Sequence, residues 1–419
     1  MFRHRTYAPS PALDTPRPHP YTHMSMQPGD FRGRRFFPGL EGGPFEIVVT
    51  RLETIERVPS VVVGLGLAAW AALMSRGEPV RFITLAAFVS ADWLLLSALH
   101  WRRVSFGPVK GPLLGLALVR SLIVLIPGPV SILVQAVATA AVLYAFWLCP
   151  ESLGLSREVL VTPKLPGGTA LRVMHFGDLH LEREGRMVDR LLHLIGTVSP
   201  DAILISGDYL SYSSIDDPAA WEAVRKFLSQ LSAPRGVFAV AGTPAVDRVE
   251  VLPRIFGGTG VRWLDDETVT LEGEGWTIEL VGVTCTHKPF EDAPRLARLL
   301  KHDPDRFCIL LYHTPDLAPD ASQMGIDLQL SGHTHGGQIR LPLFGALYTS
   351  SLYVKRFEAG RYSLGRLNLY VTRGIGMEGR GAPRVRFLCP PEVTLWEISG
   401  EPNGQSWTVD GTGIIRPSP

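Results

Sequence analysis

The chain has 419 residues, too many for one ordinary domain, so at least two folding units plus tails are expected. Apolar residues make up 46% and charged residues 19%, a balance that is hydrophobic for a soluble enzyme and points to membrane segments. With 41 basic residues against 40 acidic ones there is no general charge to hold a nucleic acid, so no nucleic-acid partner is expected and any electrostatic effect must be local.

Residues 1–50 open on a stretch, to about Pro44, that is rich in Pro, Arg, His and Gly and has no apolar period. Such a segment buries too little surface to offset its ordering and reads as a disordered tail. No apolar core or small-residue cleavage site follows its basic residues at once, so it is not a secretory signal. Residues 51–150 form the membrane region. Val58 to Met74 runs without a charge, and Phe82 to Leu99 carries only Asp92. Leu113 to Ile126 is shorter and carries Arg120, and Val130 to Leu148 is again long and uncharged. A helix needs roughly 20 apolar residues to cross the hydrocarbon core, so four spans in two hairpins are expected, with the Pro-Gly-Pro at 127–129 as the second turn.

Lys and Arg near the spans set the orientation. Arg51, Arg57, Arg102, Arg103, Lys110, Arg157 and Lys164 fall on one side and only Arg76 and Arg81 on the other. Four spans then make a multi-pass protein of the inner or plasma membrane, in contact with the lipid bilayer, with both termini and the C-terminal domain in the cytoplasm. Asp92 and Arg120 lie inside apolar stretches, where ionisable groups are costly, and are read as pairing with each other or reaching an interface.

Over residues 165–398 the pattern changes to short β-rich runs alternating with amphipathic stretches. LRVMHF (171–176), AILIS (202–206), GVFAVA (236–241), TIELVGV (277–283), FCILLY (307–312) and IDLQLS (326–331) read as strands, and 187–198 and 221–231 have helical spacing. This rhythm argues for an α/β layered domain. Residues 399–419 are polar and read as a loose tail. Cys149, Cys285, Cys308 and Cys389 are scattered singly, as buried thiols in a reducing compartment.

The Asp and His residues fall at strand ends. Asp178 and His180 follow the first strand as GDLH, Asp208 follows the second as SGDY, His313 follows FCILLY, and His333 and His335 follow IDLQLS as GHTH. Loops at strand C-termini converge on one crevice, so these six side chains are expected to meet. Carboxylates and imidazoles without thiolates suit Mn, Fe or Zn, and one shared carboxylate would hold two such ions close together. A pair of ions acidifies a bridging water and neutralises phosphate oxygens in the transition state. Each fragment alone is weak; their conjunction in fixed order is specific.

The order GDLH, SGDY, YHTPD and SGHTHGGQIRLP resembles the calcineurin-like metallophosphoesterase signature over roughly residues 170–398, and GHTHGGQIRLPLFGALY, LYVTRGIG and CPPEV are similar to its bacterial, membrane-anchored phosphodiesterase branch. That branch includes a UDP-diacylglucosamine pyrophosphatase of lipid A synthesis. The resemblance implies a four-layer α/β/β/α sandwich preceded by the N-terminal transmembrane helical region. It also implies two divalent metal ions, one on Asp178, His180, Asp208 and His335 and the other on Asp208, His313 and His333. The implied activity is hydrolysis of a phosphodiester or pyrophosphate bond in a phosphorylated small molecule or lipid precursor.

The third motif departs from the pattern. After GVFAVA the family has Gly-Asn-His-Asp or Gly-Asn-His-Glu, the Asn on the second metal and the His assisting the leaving group or the phosphate. Here Thr243 and Pro244 occupy those places, and proline has no side-chain donor or acceptor. Thr243 has a hydroxyl to offer, and Asp247, able to swing in from the same loop, is the other candidate replacement. No catalytic acid is assigned, and the competing reading is a degenerate relative that binds metal or phosphate without turnover. Arg373 follows a strand as VTRGIG and is the candidate substrate contact, its planar fork suiting phosphate, with a structural ion pair as the alternative. His175 and His287 are read as packing and loop residues, His287 being within reach of the crevice.

Overall fold

The computed structural model describes residues 22–23, 25–40, 42–301, 303–378, 381–401, 407–409 and 415–417. The expectation of disorder over residues 1–21, and that of a loose tail over 402–406, 410–414 and 418–419, fall outside these residues.

Five helices come first: α1 (Pro44–Ile55), α2 (Ser60–Ser75), α3 (Pro79–Trp101), α4 (Lys110–Val124) and α5 (Pro129–Leu143). Helix α3, and α5 with its continuation to Glu151, are each 23 residues long and apolar enough to cross a membrane. At 1.5 Å per residue they span about 35 Å. By the same rise α2 and α4 reach only about 22–24 Å, short of the ~30 Å hydrocarbon core. Helix α1 meets α2 at 101°. The Glu56 carboxylate at that joint accepts from the Lys110 and Gly111 N–H groups at 2.6 and 3.1 Å, capping the otherwise unsatisfied start of α4. Asp92 and Arg120 do pair, at 2.8 Å and almost wholly buried between α3 and α4, and Gln135 and Thr139 of α5 take the remaining guanidinium donors. An apolar bundle tolerates this charge pair only because every fork is matched.

The second unit holds two facing sheets. One has the order β1-β12-β2-β3-β4-β5, from β1 (Gly154–Thr162), β2 (Ala170–Phe176), β3 (Ala202–Ile205), β4 (Val237–Ala239), β5 (Val261–Trp263) and β12 (Glu392–Gly400). The other runs β10-β11-β9-β8-β7-β6, from β6 (Glu267–Gly273), β7 (Trp276–Gly282), β8 (Phe307–Leu311), β9 (Leu328–Ser331), β10 (Gly360–Leu364) and β11 (Leu367–Val371), with Thr22–His23 added beside β10. Alternation builds the layers. In β2, Leu171 and Val173 enter the core between the sheets, while Met174 and Phe176 face the helices α6 (Arg186–Val198) and α7 (Pro218–Leu228). In β8, Phe307, Ile309 and Leu311 face the partner sheet, while Cys308 and Leu310 pack under α8 (Pro289–Leu299). Each fully buried side chain of this kind contributes about 1.5–3 kcal/mol. The four-layer α/β/β/α sandwich behind apolar N-terminal helices is therefore present. All four cysteines are buried and free.

Three boundaries differ from expectation. Strand β1 pairs with β12 over nine residues, so the second unit starts near Gly154 rather than 165, and its sheet ends at Gly400. In the expected C-terminal tail Trp407–Val409 pairs with Ile415–Pro417. Residues 25–40, read as tail, instead lie as a strap on the sandwich: Gly29 N–H donates to the Tyr353 hydroxyl at 2.9 Å, and Phe37 is buried near the Phe290 ring. Isolated aromatic anchors of this kind have no period for sequence reading to detect.

Candidate metal centre

All six predicted ligands stand at strand C-termini and are buried: Asp178 and His180 beyond β2, Asp208 beyond β3, His313 beyond β8, His333 and His335 beyond β9. They gather into sets whose donor atoms lie within 4.8 Å of one another, namely Asp178, His180 and His335; Asp178, Asp208 and His313; and His287, His313 and His333. Five of the six hold left-handed backbone, with φ of 51° at Asp178, 44° at His180, 57° at Asp208, 70° at His333 and 51° at His335. Non-glycine residues accept that conformation only where surrounding structure enforces it, and such strain concentrates at functional sites.

The outward nitrogens of His180, His313 and His333 are held. His180 Nδ1 lies 2.9 Å from Glu378 and 3.0 Å from the Leu210 carbonyl; the Ser206 carbonyl accepts from His313 Nδ1 at 2.8 Å; the Ser350 carbonyl faces His333 Nε2 at 3.2 Å. Partners of this type fix the tautomer and aim the other nitrogen inward. There, His180 Nε2 and His335 Nε2 face each other at 3.0 Å. Burial would raise the Asp208 carboxyl, but His313 beside it holds it well below the usual carboxylate range. Burial opposes charge on His180 and His313 as well, yet Glu378 and Asp208 respectively lift them to about 9. The carboxylates hold protons on these two imidazoles, places that a cation can take in exchange, and a donor set of carboxylates and imidazoles with no thiolate fits divalent cations of the Mn, Fe or Zn kind.

Thr243 occupies the asparagine position: its N–H donates to Asp208 Oδ1 at 2.6 Å, and its hydroxyl lies 3.1 Å from Asp208 Oδ2 and 3.2 Å from His313 Nε2. Pro244 is exposed beside it. Asp247 does not swing into the site. Its carboxylate lies beneath, accepting from the N–H groups of Asp208, Tyr209 and Gly242 at 2.7, 3.0 and 2.7 Å, so it braces the Asp208 loop. Gly242 is required there, since a Cβ would sit 2.2 Å from Asp208 Oδ1.

Of the two readings of Arg373, phosphate contact or structural ion pair, the ion pair is the one seen among the described residues. Its Nε and NH2 both reach Glu392, at 3.3 and 2.9 Å, so the fork is spent bracing the end of β11 against the start of β12. His175 is a buried strand residue bonded to Ser206, as expected. Sequence reasoning missed Glu378, whose carboxylate the fold brings to His180; His287, read as a loop residue within reach of the crevice, stands beside His313 and His333. Beside the cluster lies a cavity of about 320 Å³ with Asp208, His333 and His335 on one wall and Val49, Ile339 and Val385 on others.

The calcineurin-like phosphoesterase family model matches residues 171–337. Metallophosphoesterase YkuE of Bacillus subtilis is 31% identical over 269 residues, covering 61% of this chain and 88% of the relative. Phosphodiesterase YaeI of Escherichia coli is 27% identical, covering 54% and 82%. UDP-2,3-diacylglucosamine pyrophosphatase LpxG of Chlamydia trachomatis is 27% identical, covering 55% and 84%.

Proposed function

This chain belongs to the calcineurin-like phosphoesterase family and is a metallophosphoesterase, a hydrolase of phosphoric ester bonds, and we propose that it cleaves a phosphodiester or pyrophosphate in an amphiphilic molecule at the membrane surface. The observation that carries this reading is the meeting of six buried O and N donors at the rim of an apolar-walled cavity. Asp178, His180, Asp208 and His335 would hold one divalent ion and Asp208, His313 and His333 a second, with Asp208 shared. Bound ions supply Lewis acidity toward water and phosphate oxygens.

The chain's own groups do the rest. Glu378 and the Ser206 and Ser350 carbonyls aim the imidazoles, and Asp247 sets the Asp208 loop. Thr243 presents a hydroxyl between Asp208 and His313, and Pro244 presents no proton, so substrates whose leaving groups need little protonation are favoured. Pyrophosphates are of that kind. The cavity wall reaches Val49 of α1, and the 341–348 loop beside it exposes Leu343, Phe344 and Leu347, which suits a lipid-bearing substrate. A second reading, binding of metal or phosphate without turnover, is favoured by Pro244 alone.

For the membrane part we propose four crossings in two hairpins, the bilayer thinning around the shorter α2 and α4, with the catalytic unit on the cytoplasmic face. The strap before α1, the 102–109 loop and the end of α5 all touch the sandwich: Pro38 bonds to His287, Gly107 abuts Arg384, and the Ala145 carbonyl accepts from Arg386 N–H. Three such contacts on one side support an even number of crossings, and the distribution of Lys and Arg supports the cytoplasmic side.

The test uses the full chain in detergent, with bound metal counted and hydrolysis measured on a nitrophenyl phosphodiester and on a nucleoside diphosphate-linked lipid in mixed micelles. Metal-dependent turnover abolished by Asp208→Asn, and greater on the lipid, is expected. Two bound ions with no turnover on either substrate would leave only the binding reading.

A further inference from the structure

Thr243 and Pro244 leave the second cluster without the amide and imidazole that the family pattern places there, and His287 stands in the opening. It comes from a different part of the sheet, the loop after β7, and is 2% exposed. Its ring centroid lies 4.6 Å from that of His333 and 5.9 Å from that of His313, and a nitrogen from each of the three falls within 4.8 Å of the others. The Pro38 carbonyl accepts a hydrogen bond from His287 Nδ1 at 2.7 Å. That bond fixes the proton on Nδ1 and leaves Nε2 a bare lone pair. Nε2 is buried and has no hydrogen-bond partner among the described residues, an unfavourable state unless a cation takes the lone pair. A carbonyl on one ring nitrogen with the other aimed into a donor cluster is how ligating histidines are held. The strap enforces this: Gly39, at φ 82°, lies so close that a Cβ there would be 2.6 Å from His287 Cε1 and 2.9 Å from His333 Cε1.

We propose that His287 is a ligand of the second metal ion, supplying through Nε2 the donor that Thr243 replaces poorly, with the Pro38 carbonyl as its positioning group. The inference rests on the two-ion reading above. A second site built from Asp208 and three imidazoles is richer in nitrogen than the family pattern, and nitrogen donors favour zinc or iron over manganese.

The test titrates metal-stripped, detergent-purified full chain with zinc, counting ions by mass spectrometry and measuring affinity against a chelator. Wild type is expected to bind two ions per chain. His287→Phe is expected to keep one at wild-type affinity and to bind the other at least about tenfold more weakly. His313→Ala is the reference: if it too binds two ions as wild type does, the two-ion reading itself falls. If His313→Ala loses an ion while His287→Phe binds both normally, only the assignment of His287 is overturned. Should His287→Phe fail to fold, a zinc-edge anomalous map of the wild-type protein decides. Zinc at about 2.0–2.1 Å from His287 Nε2 supports the assignment, and a second zinc out of reach of it rejects the assignment.

Discussion

Asp247 gives the sharpest test of how the site is held, because its removal touches no metal donor. Its two carboxylate oxygens accept three buried backbone N–H groups, from Asp208, Tyr209 and Gly242, and the residue is 1% exposed. Asp247→Ala strands all three donors where water does not enter. Each stranded donor costs about 1–3 kcal/mol, so the loss should be about 3–9 kcal/mol before relaxation. Asp247→Asn is milder for a geometric reason. Oδ2 serves both Asp208 and Gly242, so an amide oxygen at that place keeps two bonds, and only the Tyr209 N–H meets a donor instead of an acceptor. That costs about 1–3 kcal/mol.

Denaturant unfolding of the full chain in detergent should rank wild type above Asp247→Asn above Asp247→Ala. Hydrogen exchange should show the amides of Asp208, Tyr209 and Gly242 losing protection in the alanine variant, and zinc affinity should fall because the Asp208 loop is no longer set. If Asp247→Ala unfolds within about 1 kcal/mol of wild type, or if its three amides stay protected, the brace is not what holds this loop.

Restoring the motif with Thr243→Asn and Pro244→His should raise turnover of an alkyl phosphodiester by about 10²–10⁴-fold and change a nitrophenyl diester far less, since position 244 is exposed and has room for an imidazole. Kinetics on both substrates check this, and an equal change would deny that a proton donor is what the chain lacks. Arg120→Met leaves Asp92 buried and unpaired and should cost about 3–5 kcal/mol in thermal unfolding, with Asp92→Leu plus Arg120→Met closer to wild type than either single change. His175 is pushed by burial down to about 3 from its ordinary 6.5, so the fold must keep it neutral. Its contribution is intact above pH 6.5 and lost as pH falls toward 3, at up to about 1.4 kcal/mol per unit, and His175→Gln should flatten that slope in unfolding midpoints. Reporters fused at the turns near Gly77 and Gly128 should read the face opposite to reporters placed before α1 and after α5.

The meeting of the six candidate donors was legible because each sits directly after a strongly apolar run, and strand ends converge by topology alone. The four strands that precede them, the one before the third motif and the strand at 277–283 were read correctly for the same reason. Strand β1 was missed because Arg157 and Glu158 break its apolar run, and its pairing partner β12 lies more than two hundred residues away. Glu378 and Asp247 were beyond reach because their roles are hydrogen bonds to atoms brought near only by the fold. The ion pair of Arg373 could be offered from sequence only as an alternative, since its partner Glu392 is neither three nor four residues away on a helix nor opposite it in a predictable hairpin.

The missing third motif and the N-terminal strap belong to one problem. A chain that loses its amide ligand must either accept a weaker second site or draw a donor from elsewhere, and a donor from elsewhere needs its own support. His287 lies on a separate loop, and its tautomer is set by Pro38, which precedes the first membrane helix by only a few residues. The apolar helices, the strap and the proposed second metal site are thereby mechanically continuous, through α1 and the residues before it. It follows that the sandwich cut out alone, without residues 25–43, keeps Asp178, His180, Asp208 and His335 intact but leaves His287 free to turn its lone pair away. The N-terminal region then does more than supply the proposed membrane helices, because its strap holds one wall of the donor cluster.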